Sequence, residues 1–249
     1  MLNEPTMEKL RYMKLYGMAE SFRIQMEDPA MREMTFEDRF GLLVDAEYSK
    51  RRDTLLQRLI AGANLKVGQA CMEGIEYHPD RELDRSLLAR LSTCEYITER
   101  RNVIIMGATG AGKTYLGCAL GNAACRKFLK VRYIRLPELL TDLSIARGDG
   151  TFRKEMNLYR KFSLLILDEW LLTPLDELGA LNLLEIIETR HEESSTIFIS
   201  QCAPAGWHPM ISEGRVADAV LDRVLHNSYE ILVKGDSMRQ KKSFKKKKA

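Results

Sequence analysis

The sequence predicts an α/β protein: a five-stranded parallel sheet between helices, preceded by a small all-helical N-terminal domain. Three observations support this. From about residue 101, short apolar runs alternate five times with stretches of helical periodicity, the pattern of parallel strands joined by crossover helices. The first 66 or so residues show helical periodicity and no strand-like alternation. With 249 residues, 45% hydrophobic and 29% charged, the chain is too apolar for a disordered segment and too charged for a membrane bundle. That length allows one or two domains with real cores.

In chain order, Thr6 is placed to cap a helix whose apolar positions Leu10, Met13, Met18, Phe22 and Met26 recur at roughly helical spacing, and Asp28-Pro29 breaks it. Thr35 with Asp38 reads as a capping box for a second helix carrying Leu42, Leu43, Leu55, Leu56, Leu59 and Ile60; Gly62 and Asn64 punctuate its end. Residues 67–100 are mixed, with turns at Gly68, Gly74 and His78-Pro79 and a helical stretch over 83–91. Strands are then expected at 102–106, 131–136, 163–167, 196–200 and 229–233, with helices at 113–128, 137–147, 176–192 and 216–226. The division that follows is a helical domain over 1–66, an α/β domain over 67–233 and a basic tail over 234–249.

Charge and cysteine usage narrow the classes. Residues 234–249 hold eight Lys/Arg against one acid, Asp236, more positive charge than the whole chain's net of +3. The basicity therefore lies in the tail rather than in the fold. Five scattered cysteines form no C-x-x-C pair, and the four histidines show no H-x-x-x-H spacing, so neither a disulfide framework nor a zinc site is expected. The N-terminus carries early acids and no apolar block, and no run approaches the roughly 20 residues of a membrane span. The expectation is a soluble cytoplasmic protein.

The strongest motif is Gly107-Ala108-Thr109-Gly110-Ala111-Gly112-Lys113-Thr114, a full G-x-x-x-x-G-K-T that follows an expected strand and opens an expected helix. Its glycines let backbone N–H groups approach phosphate oxygens at a helix N-terminus. Lys113 is placed to reach β- and γ-phosphates, and the Thr114 hydroxyl to bind Mg²⁺. The second motif is the apolar run 164–167 ending in Asp168-Glu169. Asp168 suits a Mg²⁺ contact made through water, and Glu169 suits a base that orients an attacking water. One expected strand lies between this pair and the phosphate loop in sequence, so the carboxylate strand is expected to be separated from the loop strand. Weaker signals come from Ser200-Gln201 at the end of the fourth strand, either of which could hold the water or sense the γ-phosphate. Arg215 and Arg223, before and within the 216–226 helix, are candidates for an arginine acting on a neighbouring molecule.

The set 107-GATGAGKT-114, 164-LLILDEW-170, 173-TPLDE-177, 218-DAVLDRVLHNSYEI-231 and 235-GDSMR-239 resembles the IstB family, ATP-binding helper proteins of insertion-sequence transposition. These belong to the AAA+ class of P-loop NTPases and are similar to the DnaC helicase loaders. The resemblance covers most of the chain, including 40-FGLLVDAEYSKRRDTLLQRLI-60 in the helical domain. It implies an ATPase with ATP and Mg²⁺ bound between neighbouring subunits, a homo-oligomeric ring or spiral on double-stranded DNA, and a partner transposase. Carried over by position, it further implies that Lys113, Thr114, Asp168 and Glu169 are the ATP residues, within a nucleotide-binding set of residues 107–114 and Asp168. Arg223 in LDRV then resembles the finger acting in trans, with Arg215 in reserve. The sequence departs from the pattern at Trp170-Leu171, where relatives often show Leu-Gly. Only 16 residues follow the last expected strand, which leaves no room for a C-terminal helical lid. A DnaC-type helicase loader is the alternative on the same fold; the LDRxxHN and GDSMR stretches favour the transposition helper. A small-molecule kinase would need an acceptor pocket and an Arg-rich lid, and the Asp-Glu pair with a basic tail fits it poorly. A nonenzymatic scaffold gated by ATP is disfavoured by Glu169.

Overall fold

The computed structural model describes residues 3–212, 214–235 and 238. It divides into two compact units, Met1–Arg58 and Leu59–Ala249. Most of the basic tail, Arg239 of the GDSMR stretch included, lies outside the described residues.

In the first unit, α1 (Asn3–Tyr12) and α2 (Tyr16–Glu27) replace the single helix expected there, and Thr6 lies inside α1 rather than at its cap. The break is a left-handed turn at Lys14 (φ 60°). Its amide donates to Arg11 O at 2.9 Å and that of Leu15 to Leu10 O at 2.8 Å, which satisfies the last carbonyls of α1 without a glycine. The amides at the start of α2 are held from α3 (Phe36–Ala63), where Glu47 Oε2 accepts from Gly17 N at 2.7 Å. The Thr35–Asp38 pair caps α3 as expected, with Asp38 N donating to Thr35 Oγ1 at 3.2 Å. Asn64, at φ 52°, follows the last turn of α3.

The second unit is the α/β body. After α4 (Arg85–Ser92) and α5 (Glu95–Thr98) come β1 (Asn102–Gly107), α6 (Lys113–Arg126), β2 (Val131–Arg135), α7 (Leu136–Gly148), α8 (Phe152–Arg160), β3 (Leu164–Asp168), α9 (Glu177–Arg190), β4 (Ser195–Ser200), α10 (Gly214–Leu225) and β5 (Ser228–Val233). Among the described residues the five strands form one parallel sheet in the order β2-β3-β4-β1-β5. β4 thus separates the carboxylate strand β3 from the loop strand β1.

Strand alternation sorts the apolar side chains between two faces. Ile104, Met106, Leu165, Leu167 and Phe198 face the layer built by α7–α10, with Leu139, Leu143, Leu183, Ile186 and Val220. Ile166 and Ile199 face α6, which comes so close that a Cβ on Gly117 would lie 2.6 Å from Ile199 and one on Gly121 2.8 Å from Ile166. Each such buried Leu or Ile contributes about 1.5–3 kcal/mol. Helix α8 has no counterpart among the sequence expectations; it buries only Met156 and Tyr159. Among the described residues no helix is long and apolar enough to cross a membrane.

Arg190, at the end of α9, is 2% exposed and bonded only to neutral groups. Its guanidinium donates to Tyr159 O (2.6 Å), Phe162 O (2.9 Å), Ser195 O (2.6 Å) and Thr196 Oγ1 (3.1 Å), fastening α8 and the starts of β3 and β4 together. Burial pushes its pKa down to about 9. Arg190→Met keeps the stem and removes every donor, so a loss of about 3 kcal/mol or more is expected, read as a lower urea midpoint at unchanged m-value. An unchanged midpoint would mean that water serves those carbonyls equally well.

Candidate functional site

β1 leads directly into the glycine-rich loop. Gly107 sits at φ 147°, and a Cβ there would lie 2.1 Å from Val233 O on β5, so only glycine lets the loop leave the sheet at this point. Gly112 (φ 96°) turns the chain into α6, with a Cβ position 2.9 Å from Arg81 Nη2. Lys113 Nζ donates to Gly107 O at 2.7 Å and Ala108 O at 2.8 Å, which holds the ammonium against its own loop. Burial lowers the Lys113 pKa, and the charge of Asp168 opposes that shift.

Asp168 closes β3 and is 5% exposed. Its Oδ2 accepts from Thr114 Oγ1 at 2.8 Å and from Tyr133 OH at 2.7 Å, and its Oδ1 from Glu169 N at 2.8 Å. The two motifs, 54 residues apart, are therefore joined side chain to side chain. Glu169 follows in a left-handed conformation (φ 58°), and its carboxylate lies 3.7 Å from Arg135 Nη1 at the end of β2. Arg135 also pairs with Glu138.

The two residues ending β4 part company. Ser200 is 1% exposed; its hydroxyl donates to Trp170 O and accepts from Cys202 N and Trp207 Nε1, each at 3.2 Å. Gln201 is exposed, and its Oε1 accepts from Thr109 Oγ1 of the loop at 2.7 Å. Trp170 is fully buried between Phe198 and Trp207, with ring centroids at 4.5 and 5.8 Å. Leu171 has φ 47°, a conformation that glycine adopts without strain.

Beside the loop lies a cleft of about 220 Å³ bounded by Lys66, Val67, Lys113, Thr114, Tyr115 and Met238. Met238 N donates to Gly110 O at 2.9 Å. Behind the loop, buried Arg81 donates through Nη2 to Ala111 O at 3.0 Å and through Nη1 to Glu76 O at 2.5 Å. The sequence motifs leave out Arg81, Tyr133 and Arg135, and hold Met238 only as part of the 235–239 stretch. Period-2 alternation marks Tyr133 as strand but not which acid it meets.

The arginines are not brought to this site. Arg223 donates to Ala219 O (2.8 Å) and to Glu188 on α9 (3.0 Å). It borders a small cavity with Asn102 and Thr196, at the starts of β1 and β4, the end of the sheet opposite Asp168. Arg215 is exposed near the start of α10.

The donor set suits a nucleoside triphosphate with a hard divalent cation. The loop glycines leave backbone free to approach phosphate, α6 supplies a helix N-terminus, and the hydroxyl and carboxylate oxygens of Thr114 and Asp168 are the ligand type Mg²⁺ prefers.

Comparison with known proteins bears on the nucleotide. A family profile described as IstB-like ATP binding protein matches residues 8–246. An insertion sequence ATP-binding protein of Sinorhizobium fredii is 39% identical over 240 residues, 96% of this chain and 98% of that protein. The AMPPCP-bound DnaA of Aquifex aeolicus superposes with a TM-score of 0.59 at 22% identity, covering 74% of this chain and 56% of that one, so the likeness spans just over half of DnaA. The DnaC helicase loader superposes with a TM-score of 0.54 at 18% identity, covering 66% of this chain and 97% of the loader. Both structural likenesses are likenesses of fold.

Proposed function

The chain belongs to the family of IstB-like ATP binding proteins, and from that premise we propose that it is a transposition helper ATPase that oligomerises on duplex DNA, hydrolyses ATP and recruits a partner transposase. The observation that carries the ATPase reading is the Thr114–Asp168 hydrogen bond at 2.8 Å with Glu169 adjacent, which unites both motifs in one site.

Bound ATP would supply the transferable phosphoryl group, and Mg²⁺ the charge that neutralises its oxygens. Thr114 and Asp168 would hold the cation; the backbone amides of residues 108–113 and the Lys113 ammonium would hold the phosphates. Glu169 orients water and takes its proton on the carboxylate. Gln201, tied to Thr109 of the loop, is better placed than Ser200 to respond to the γ-phosphate, because the Ser200 hydroxyl is occupied inside the fold. Arg223 would act on the nucleotide of a neighbouring subunit.

Residues 1–66 are assigned to assembly and to contact with DNA or partner, 67–233 to nucleotide chemistry, and the tail to DNA phosphates. A cytoplasmic location suits these roles. The alternative, a helicase loader, draws on the DnaC likeness of fold; the insertion-sequence relative at 39% identity over nearly its whole length favours the helper.

Electron microscopy with ATP and duplex DNA tests the reading. A ring or spiral that forms only with both ligands is expected. Binding should tolerate any sequence, with log K falling linearly in log salt by about 0.9 per phosphate engaged, and deletion of residues 241–249 should flatten that slope by several units. A monomer that stays a monomer on DNA with ATP would overturn it.

A further inference from the structure

We propose that Tyr133 is a positioning residue that fixes Asp168 for cation-dependent nucleotide binding. The proposal rests on the nucleotide-site reading above and adds to it a residue that neither motif contains.

Tyr133 stands on β2, opposite Ile166 in the β2–β3 register and two residues before Arg135, which pairs with Asp168. Its ring is 5% exposed, and its hydroxyl reaches past the strand to Asp168 Oδ2 at 2.7 Å. It does not border the cleft beside the loop, and its hydroxyl is spent on Asp168, which Thr114 of the cleft wall also meets.

A buried carboxylate holds one orientation only while donors fix its oxygens. Asp168 has three: Glu169 N on Oδ1, and Thr114 Oγ1 and Tyr133 OH sharing Oδ2. The Glu169 amide belongs to the turn that aims the base, and the Thr114 hydroxyl is itself a cation ligand on the reading above. Tyr133 alone among the three has no second role. Tyrosine has one hydroxyl proton, and at 2.7 Å it is given to Asp168 Oδ2. Threonine has one proton to donate and two lone pairs to offer. With Tyr133 holding Oδ2, Asp168 keeps its direction however the Thr114 hydroxyl turns.

Tyr133→Phe removes one oxygen and keeps the ring in its slot. The experiment is equilibrium binding of a fluorescent ATP analogue to the full chain, in EDTA and across a Mg²⁺ titration. Affinity in EDTA should stay within about twofold of wild type, while the Mg²⁺ needed for half-saturation rises by about tenfold, as for other outer-layer partners of cation ligands. Asp168→Asn should abolish the Mg²⁺-dependent gain, and adding Tyr133→Phe to it should change nothing further. An unaltered Mg²⁺ requirement in Tyr133→Phe would overturn the role of Tyr133 alone. Equal weakening with and without Mg²⁺ would do the same, since it marks a general packing defect. A wild-type affinity indifferent to Mg²⁺ would overturn the site reading, and Tyr133 with it.

Discussion

Glu169→Gln protein is expected to bind ATP with near wild-type affinity and to hydrolyse it about 10²–10⁴-fold more slowly, the usual contribution of a general base. The amide is isosteric, so the turn at φ 58° and the Glu169 N–H bond to Asp168 Oδ1 persist. What disappears is the carboxylate proposed to take the proton, together with its ion pair to Arg135 at 3.7 Å. Trapped with ATP, this variant should accumulate on DNA. Lys113→Ala should fail one step earlier, because the only ammonium held at the loop carbonyls among the described residues is gone, and the analogue's Kd should rise by about 10²-fold or more. Equilibrium binding beside single-turnover hydrolysis separates the two. Wild-type turnover in Glu169→Gln would remove Glu169 from its role.

The sheet was legible because each strand is a short apolar run and the stretches between the runs are long enough for crossover helices. The expected strands at 102–106, 163–167 and 196–200 lie within one residue of β1, β3 and β4. The candidate site was legible where backbone geometry dictates residue type. Gly107 abuts Val233 O and admits no side chain, and Asp168 stands where a buried strand meets the loop.

What sequence did not disclose depends on contacts between distant residues. Ser200 and Gln201 are adjacent and polar, and alternation sends them opposite ways without saying which way is in. The indole of Trp207 decides it by donating to Ser200 at 3.2 Å. Tyr133 meets Asp168 across 35 residues of sequence. Helix α8 is only nine residues long and mostly polar, so although Met156 and Tyr159 share a face there is little apolar sequence to announce it. The break between α1 and α2 sits on Lys14 in the left-handed region, where residue type gives no warning.

Mixing Arg223→Ala with Glu169→Gln protein should restore ATPase activity that neither variant has alone. Within one chain Arg223 is tied to Glu188 at 3.0 Å and lies by the strand starts, the end of the sheet opposite Asp168, away from its own phosphate loop. A guanidinium that acts must therefore act on a neighbour, where it would offset charge on the γ-phosphate oxygens, an effect of about 10³-fold or more in related hydrolyses. In a mixed assembly some interfaces join the intact Arg223 of a Glu169→Gln subunit to the intact Glu169 of an Arg223→Ala subunit. Random equimolar mixing makes roughly a quarter of the interfaces of that kind, and the rate should peak near equal proportions. The readout is phosphate release against mixing ratio, with assembly on DNA followed in parallel. A flat profile from variants that still assemble would show that Arg223 does not act across subunits, and would leave Arg215, exposed near the start of α10, as the residue to test in the same way.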